Sequence, residues 1–134
     1  MRNVQYLMDQ HVISAGEAGY TRLCKYWVPG RGLPLIVDNS VPIGSMPQLW
    51  HVWHAEAAIV HSDGKAATGY RIYVVDSGPP GQGAITMGAD MQGTGEPSRM
   101  RWPQPVLYGM GWLLNKPLTA GDVVIFRAKY EVVK

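Results

Sequence analysis

Glycine and proline interrupt this chain so often that a bundle of helices is out of reach. The 134 residues include 16 glycines and 10 prolines. In a helix interior glycine costs about 1 kcal/mol and proline about 3 kcal/mol relative to alanine. The same residues close short strands and shape the turns between them. A coiled coil is excluded on the same ground. With 46% hydrophobic residues the chain is too apolar to be disordered. Its length suits one domain with one core.

Between the breaks the sequence reads as strands. Residues 1–17 are mixed: Val4, Leu7, Met8, His11 and Val12 fall near helical spacing, but Gly16 and Gly19 close the segment early. An extended N-terminal arm or a first edge strand is expected there. Residues 18–28 predict an aromatic-rich strand, with Tyr20, Arg22, Cys24 and Tyr26 on one face and Thr21, Leu23, Lys25 and Trp27 on the other. Pro29-Gly30-Arg31-Gly32 is a turn, residues 33–37 are a short apolar run, and Pro42, Gly44 and Pro47 mark a loop.

Residues 49–60 are long enough for either element, and a helix could form over 50–59. The Asp63-Gly64 turn that follows favours a strand leading into a hairpin. Strict alternation then puts Leu49, His51, Trp53, Ala55, Ala57 and Ile59 on one face. Residues 68–76 alternate well, and 84–87 form a short strand. Residues 77–83 and 88–98 are glycine- and proline-rich loops of a length that is often functional. Strands are expected over 99–102 and 106–114, and a turn over 118–122. Residues 123–133 are the cleanest strand: Val124, Phe126, Ala128, Tyr130 and Val132 make an apolar face, opposite Arg127, Lys129 and Glu131. About eight short strands between strong turns predict an all-β fold, a single β-sandwich over residues 18–134.

Several chemistries are excluded or disfavoured by residue type and spacing. Cys24 is the only cysteine, so neither an intrachain disulfide nor a cysteine-based zinc site can form. Alternation points Lys25 away from it, which makes a buried, inert thiol the expectation. His51 and His54, with Glu56 two residues on, could share a metal only if the segment were helical. No Gly-x-Ser-x-Gly elbow or phosphate-cradling glycine loop occurs. The acidic residues are scattered, mostly at turns. A net charge of +2 with dispersed basic residues argues against a nucleic-acid surface. No apolar stretch approaches the roughly 18 residues of a membrane helix, and the N-terminus has no signal-peptide pattern. A non-enzymatic protein without cofactor, made in a reducing cytosol, is expected.

What stands out is aromatic surface. Five tryptophans and seven tyrosines accompany a single phenylalanine. Indole and phenol carry a polar handle and are favoured at interfaces. Trp50 and Trp53 fall on opposite strand faces, so both faces of that strand must be covered, by another subunit or by the same chain. Trp27, Trp50, Trp53, Trp102, Trp112, Tyr73, Arg127 and Lys129 are the interface candidates.

Pro117-Leu118-Thr119-Ala120-Gly121-Asp122-Val123-Val124-Ile125-Phe126 resembles the last turn and strand of single jelly-roll virus capsid proteins. In composition the chain is also similar to small phage head-decoration (cement) proteins. The resemblance implies a jelly-roll-like sandwich in the virion. It implies a structural role, through association with copies of itself (a trimer being one option) and with other capsid proteins. The alternative is a carbohydrate-binding or receptor-binding domain whose Trp50, Trp53, Trp102 and Trp112 stack on sugar rings.

Overall fold

The computed structural model describes residues 4–28, 31–32, 49–65, 67, 72–76, 85–86, 98–100, 104–106, 109–114 and 116–133. Among these are ten strands and no helix: β1 (Val4–Val12), β2 (Cys24–Val28), β3 (Arg31–Gly32), β4 (Leu49–Val60), β5 (Ile72–Asp76), β6 (Ile85–Thr86), β7 (Ser98–Met100), β8 (Gln104–Val106), β9 (Met110–Leu114) and β10 (Val123–Val133). The short apolar run expected over 33–37, the loop marked by Pro42, Gly44 and Pro47, the loop over 77–83 and all but Ser98 of the loop over 88–98 lie outside the described residues, as do Trp102 and the side chain of Trp50.

Every pairing is antiparallel, and the strands form two sheets. The first runs β1-β10-β4-β7, with β8 also on β4; the second runs β3-β2-β9-β5-β6. One set of pairings nests along the chain: β1 meets β10, β2 meets β9, β4 meets β7 and β8, and β5 meets β6; β4 with β10, β5 with β9 and β2 with β3 complete the sheets. The all-β expectation therefore holds.

The inward faces of both sheets share one core. β10 contributes Val124, Phe126, Ala128 and Tyr130, as its alternation predicts. β2 contributes Trp27, and β9 contributes Met110, Trp112 and Leu114. Trp27 stacks on Phe126 across the sheets, with ring centroids 5.0 Å apart and planes 9° from parallel. Small Ala55 and Ala57 on β4 suit a core that also holds two indoles and a phenyl ring.

Among the described residues Val4–Val12 forms a strand that pairs with β10 along its whole length, and Leu7 packs against the core. Two local expectations are corrected. Residues 18–23 are not strand. The chain turns there, with the Glu17 and Ala18 N–H groups donating to the Ser14 carbonyl at 3.1 and 3.0 Å. The Asp63-Gly64 turn forms, with Gly64 at φ 87° and the His61 N–H donating to the Lys65 carbonyl at 2.8 Å. However, β4 and β5 on its two sides belong to different sheets. Among the described residues, pairing beyond the turn includes the Ala67 N–H on the Ile59 carbonyl, 3.1 Å.

A further correction concerns β4. Its ladder with β10 shifts register between Lys129 and Tyr130, whose partners His54 and Val52 lie on either side of Trp53. One extra residue reverses the phase of everything beyond it. Val52 therefore shares the core with Ala55, Ala57 and Ile59, and His51 falls on the same outward face as His54.

Candidate interaction surface

The two sheets differ in what their outward faces expose. On the second sheet the outward positions Cys24, Tyr26, Val75 and Leu113 are all buried within the single chain. On the first sheet the outward positions of β1, β10 and β4 line up in cross-strand rows set by the register. Tyr6, Lys129 and His54 make one row; Met8, Arg127 and Glu56 make the next, extended by Arg99 on β7. Gln10, Ile125 and Ala58 follow, then Val12, Val123 and Val60.

The apolar part of this face is unusually open. Tyr6 is 77% exposed, Met8 59% and Val12 58%; with Tyr20 they are the exposed large hydrophobic residues among those described. Between the first two rows runs a groove of about 470 Å³, lined by Tyr6, Met8, His54, Glu56, Arg127 and Lys129.

The Glu56 carboxylate organises the charges. It lies 3.4 Å from Arg127 Nε, 3.8 Å from Arg99 Nε and 3.5 Å from His54 Nε2. Exposed pairs of this kind contribute roughly 0–1 kcal/mol each. Their effect is to orient the guanidinium groups, not to hold the fold. With Lys129, three fixed cations share this outward face with the Glu56 carboxylate and the nearly buried Glu131, so the face is apolar at its β1 edge and net basic toward its middle.

Two polar clasps hold β1 against the second sheet and the following turn. Lys25 Nζ reaches across to Asp9 Oδ2 at 3.1 Å and sits 5.3 Å from the centre of the Trp27 ring. His11 Nε2 lies 3.1 Å from Glu17 Oε1, and the Ser14 N–H donates to the same oxygen at 2.9 Å. Burial alone would raise the Glu17 pKa. The hydrogen bonds from the Ser14 backbone and from His11 outweigh it and hold the carboxyl below its ordinary value. In the core, burial raises the Tyr130 phenol above its ordinary value.

The remaining candidates separate clearly. Trp27 and Trp112 are core residues, 7% and 0% exposed, and are removed from this chain's surface. Trp112 is thereby also withdrawn from any sugar-stacking row. Trp53 is half-buried beside the irregularity in β4, and Tyr73 is half-buried on the outward side of the second sheet, opposite Leu113. Arg127 and Lys129 are exposed where the register puts them, on the open face. His54 and Glu56 do meet, whereas His51 Nδ1 instead lies 3.6 Å from Glu131 Oε1. No cluster of three metal-ligating side chains occurs among the described residues. Cys24 is buried and not disulfide-bonded.

Sequence reading missed Tyr6, Met8 and Val12. Their signal was a period-2 phase in β1, obscured because the opposite phase carries Gln5, Asp9 and His11 in place of apolar residues.

No helix among the described residues is long and apolar enough to cross a membrane. Comparison with protein-family models, with characterised proteins and with solved structures returns no match.

Proposed function

We propose that this chain is a structural protein of a virus or phage particle, a capsid-associated subunit that works by binding copies of itself and neighbouring capsid proteins. The fold component of this reading is a jelly-roll sandwich. Nested pairing, first strand with last and inner strands with inner, is what a long hairpin rolled into two sheets produces, and jelly rolls recur in capsid, lectin and cupin domains. Fold alone does not select among those roles.

The observation that carries the choice is the open face of the first sheet. Three large apolar side chains stand exposed along one edge strand, and removing such surface from water is worth roughly 25 cal/mol per Å². A binding protein uses that surface. The resemblance of residues 117–126 to the end of capsid jelly rolls supplies the class of assembly.

Mass spectrometry of particles purified from the producing host tests it. The chain in fixed ratio to the major shell protein supports the reading; its absence from the particles refutes it.

A further inference from the structure

We infer that β1 is a self-pairing edge: two copies of the chain join β1 to β1, antiparallel, about a two-fold axis at Met8. The inference rests on the assembly reading and names the contact.

Among the described residues β1 is backbone-paired on one side only. It pairs with β10 from Val4–Glu131 to Val12–Val123 without a register shift, and no described strand lies on its other side. Soluble proteins usually block such an edge with proline, lysine, a bulge, an inward-pointing charge or a very short strand. The nine residues of β1 contain no proline or lysine and no bulge against β10. Its one fixed charge, Asp9, points inward and is neutralised by Lys25 of its own chain, 3.1 Å away.

The sequence of β1 fits its own reverse. Directly opposed residues in an antiparallel pair share a face. Only a pairing centred on Met8 engages all nine residues, Val4 through Val12. It sets Met8 against Met8 of the second copy, Tyr6 against Gln10, and Val4 against Val12 on the outward face. Gln5 then meets His11 and Leu7 meets Asp9 on the inward face. No like charges are opposed. Sliding the centre to Asp9 opposes two aspartates, and sliding it to Leu7 leaves two residues of each strand unpaired. The centred arrangement makes the first sheets of two copies continuous and brings their open faces side by side. A contact of one strand per copy falls short of the roughly 1,200 Å² of a standard interface, so the dimer is weak and depends on concentration.

Charge reversal at the axis tests this. Met8 is largely exposed, so Met8→Lys and Met8→Glu should fold with unchanged circular dichroism and melting. In sedimentation velocity each variant alone should self-associate about tenfold or more weakly than the parent chain, because like charges meet at the two-fold. An equimolar mixture should recover dimers. Recovery in the mixture supports the inference. Self-association of either variant at parental strength overturns it, and so does loss without recovery, or a parent chain that stays monomeric at high concentration. None of these outcomes touches the presence of the chain in particles, which judges the assembly reading separately.

Discussion

Gly111 sits in the middle of β9, opposite Tyr26 of β2 and Val75 of β5. A methyl group added there would lie 2.0 Å from the Lys25 carbonyl oxygen, 2.8 Å from Tyr26 Cα and 2.9 Å from the Lys25 carbonyl carbon. Carbon–oxygen contacts ordinarily close at about 3.3 Å, so the overlap with the oxygen exceeds about 1 Å. All three obstructing atoms are backbone, and no side-chain rotation relieves them. Relief requires β2 to move away from β9, which strains the ladder from Cys24–Leu113 to Trp27–Met110.

Overpacking of a core costs typically 1–3 kcal/mol when neighbours can adjust, and each ladder bond lost adds about 1 kcal/mol. Gly111→Ala should therefore destabilise by about 3 kcal/mol or more, a large share of a domain's 5–15 kcal/mol. The melting temperature should fall by about 10 °C. Urea unfolding followed by tryptophan fluorescence is a direct assay, since Trp27 and Trp112 are both in the core. Gly16→Ala is the control: its added methyl would meet nothing closer than Ser14 Oγ at 4.0 Å, so it should stay within about 0.5 kcal/mol of the parent. A Gly111→Ala protein melting within about 2 °C of the parent would refute the reasoning, because the two strands would then be separable at no cost.

Three further outcomes are expected. Phe126→Ala removes the ring stacked on Trp27 and should cost about 3–5 kcal/mol by chemical denaturation, with Phe126→Leu much milder. Asp122 is 2% exposed, accepts the Thr119 N–H at 3.0 Å and lies 3.2 Å from His61 Nδ1. Asp122→Ala should cost about 1–3 kcal/mol in thermal melts, and Asp122→Asn should recover part of that by keeping one acceptor. The lowered Glu17 pKa means that folding favours its carboxylate. This contribution is fully present above the ordinary carboxylate value of about 4.3 and is lost as pH falls through the lower folded value. Glu17→Gln should thus lose stability at neutral pH and converge on the parent in acid; a constant offset down to pH 2 would contradict the assignment.

The legible parts of the fold are those where one strand's own alternation decides its burial. β4 and β10 occupy the bounds that the sequence predicts, Leu49–Val60 and Val123–Val133. β1 was less legible because it lies at the rim, where its inward side chains meet Lys25 and Glu17 and are therefore polar. The phase reversal at Trp53 is a property of how β4 pairs with β10, and no pattern within β4 announces it. The same limit applies to the indoles. Composition marks Trp27 and Trp112 as interface residues, but only the opposing sheet turns them into core. Turn chemistry was readable and its reason is local. Gly121 takes φ 94°, which side chains resist, while the buried Asp122 carboxylate ties the turn to His61 and Thr119.

The composition posed a problem of surplus: more apolar and aromatic surface than one core can use. The two sheets resolve it differently. Outward Cys24, Tyr26, Val75 and Leu113 on the second sheet are already buried within one chain and Tyr73 beside them is half-buried, so among the described residues that face exposes no large apolar side chain. Among the described residues, the surplus that remains is concentrated on β1, at the edge and outward face of the first sheet. Both kinds of unmet demand coincide there, since among the described residues the strand is paired on one side only and carries exposed Tyr6, Met8 and Val12 on the adjoining face. A partner that added a strand would meet both at once, whereas a ligand seated in the groove would leave the backbone edge open. For that reason strand addition, with the chain's own β1 as the best-matched strand, accounts for more of the exposed chemistry than ligand binding does.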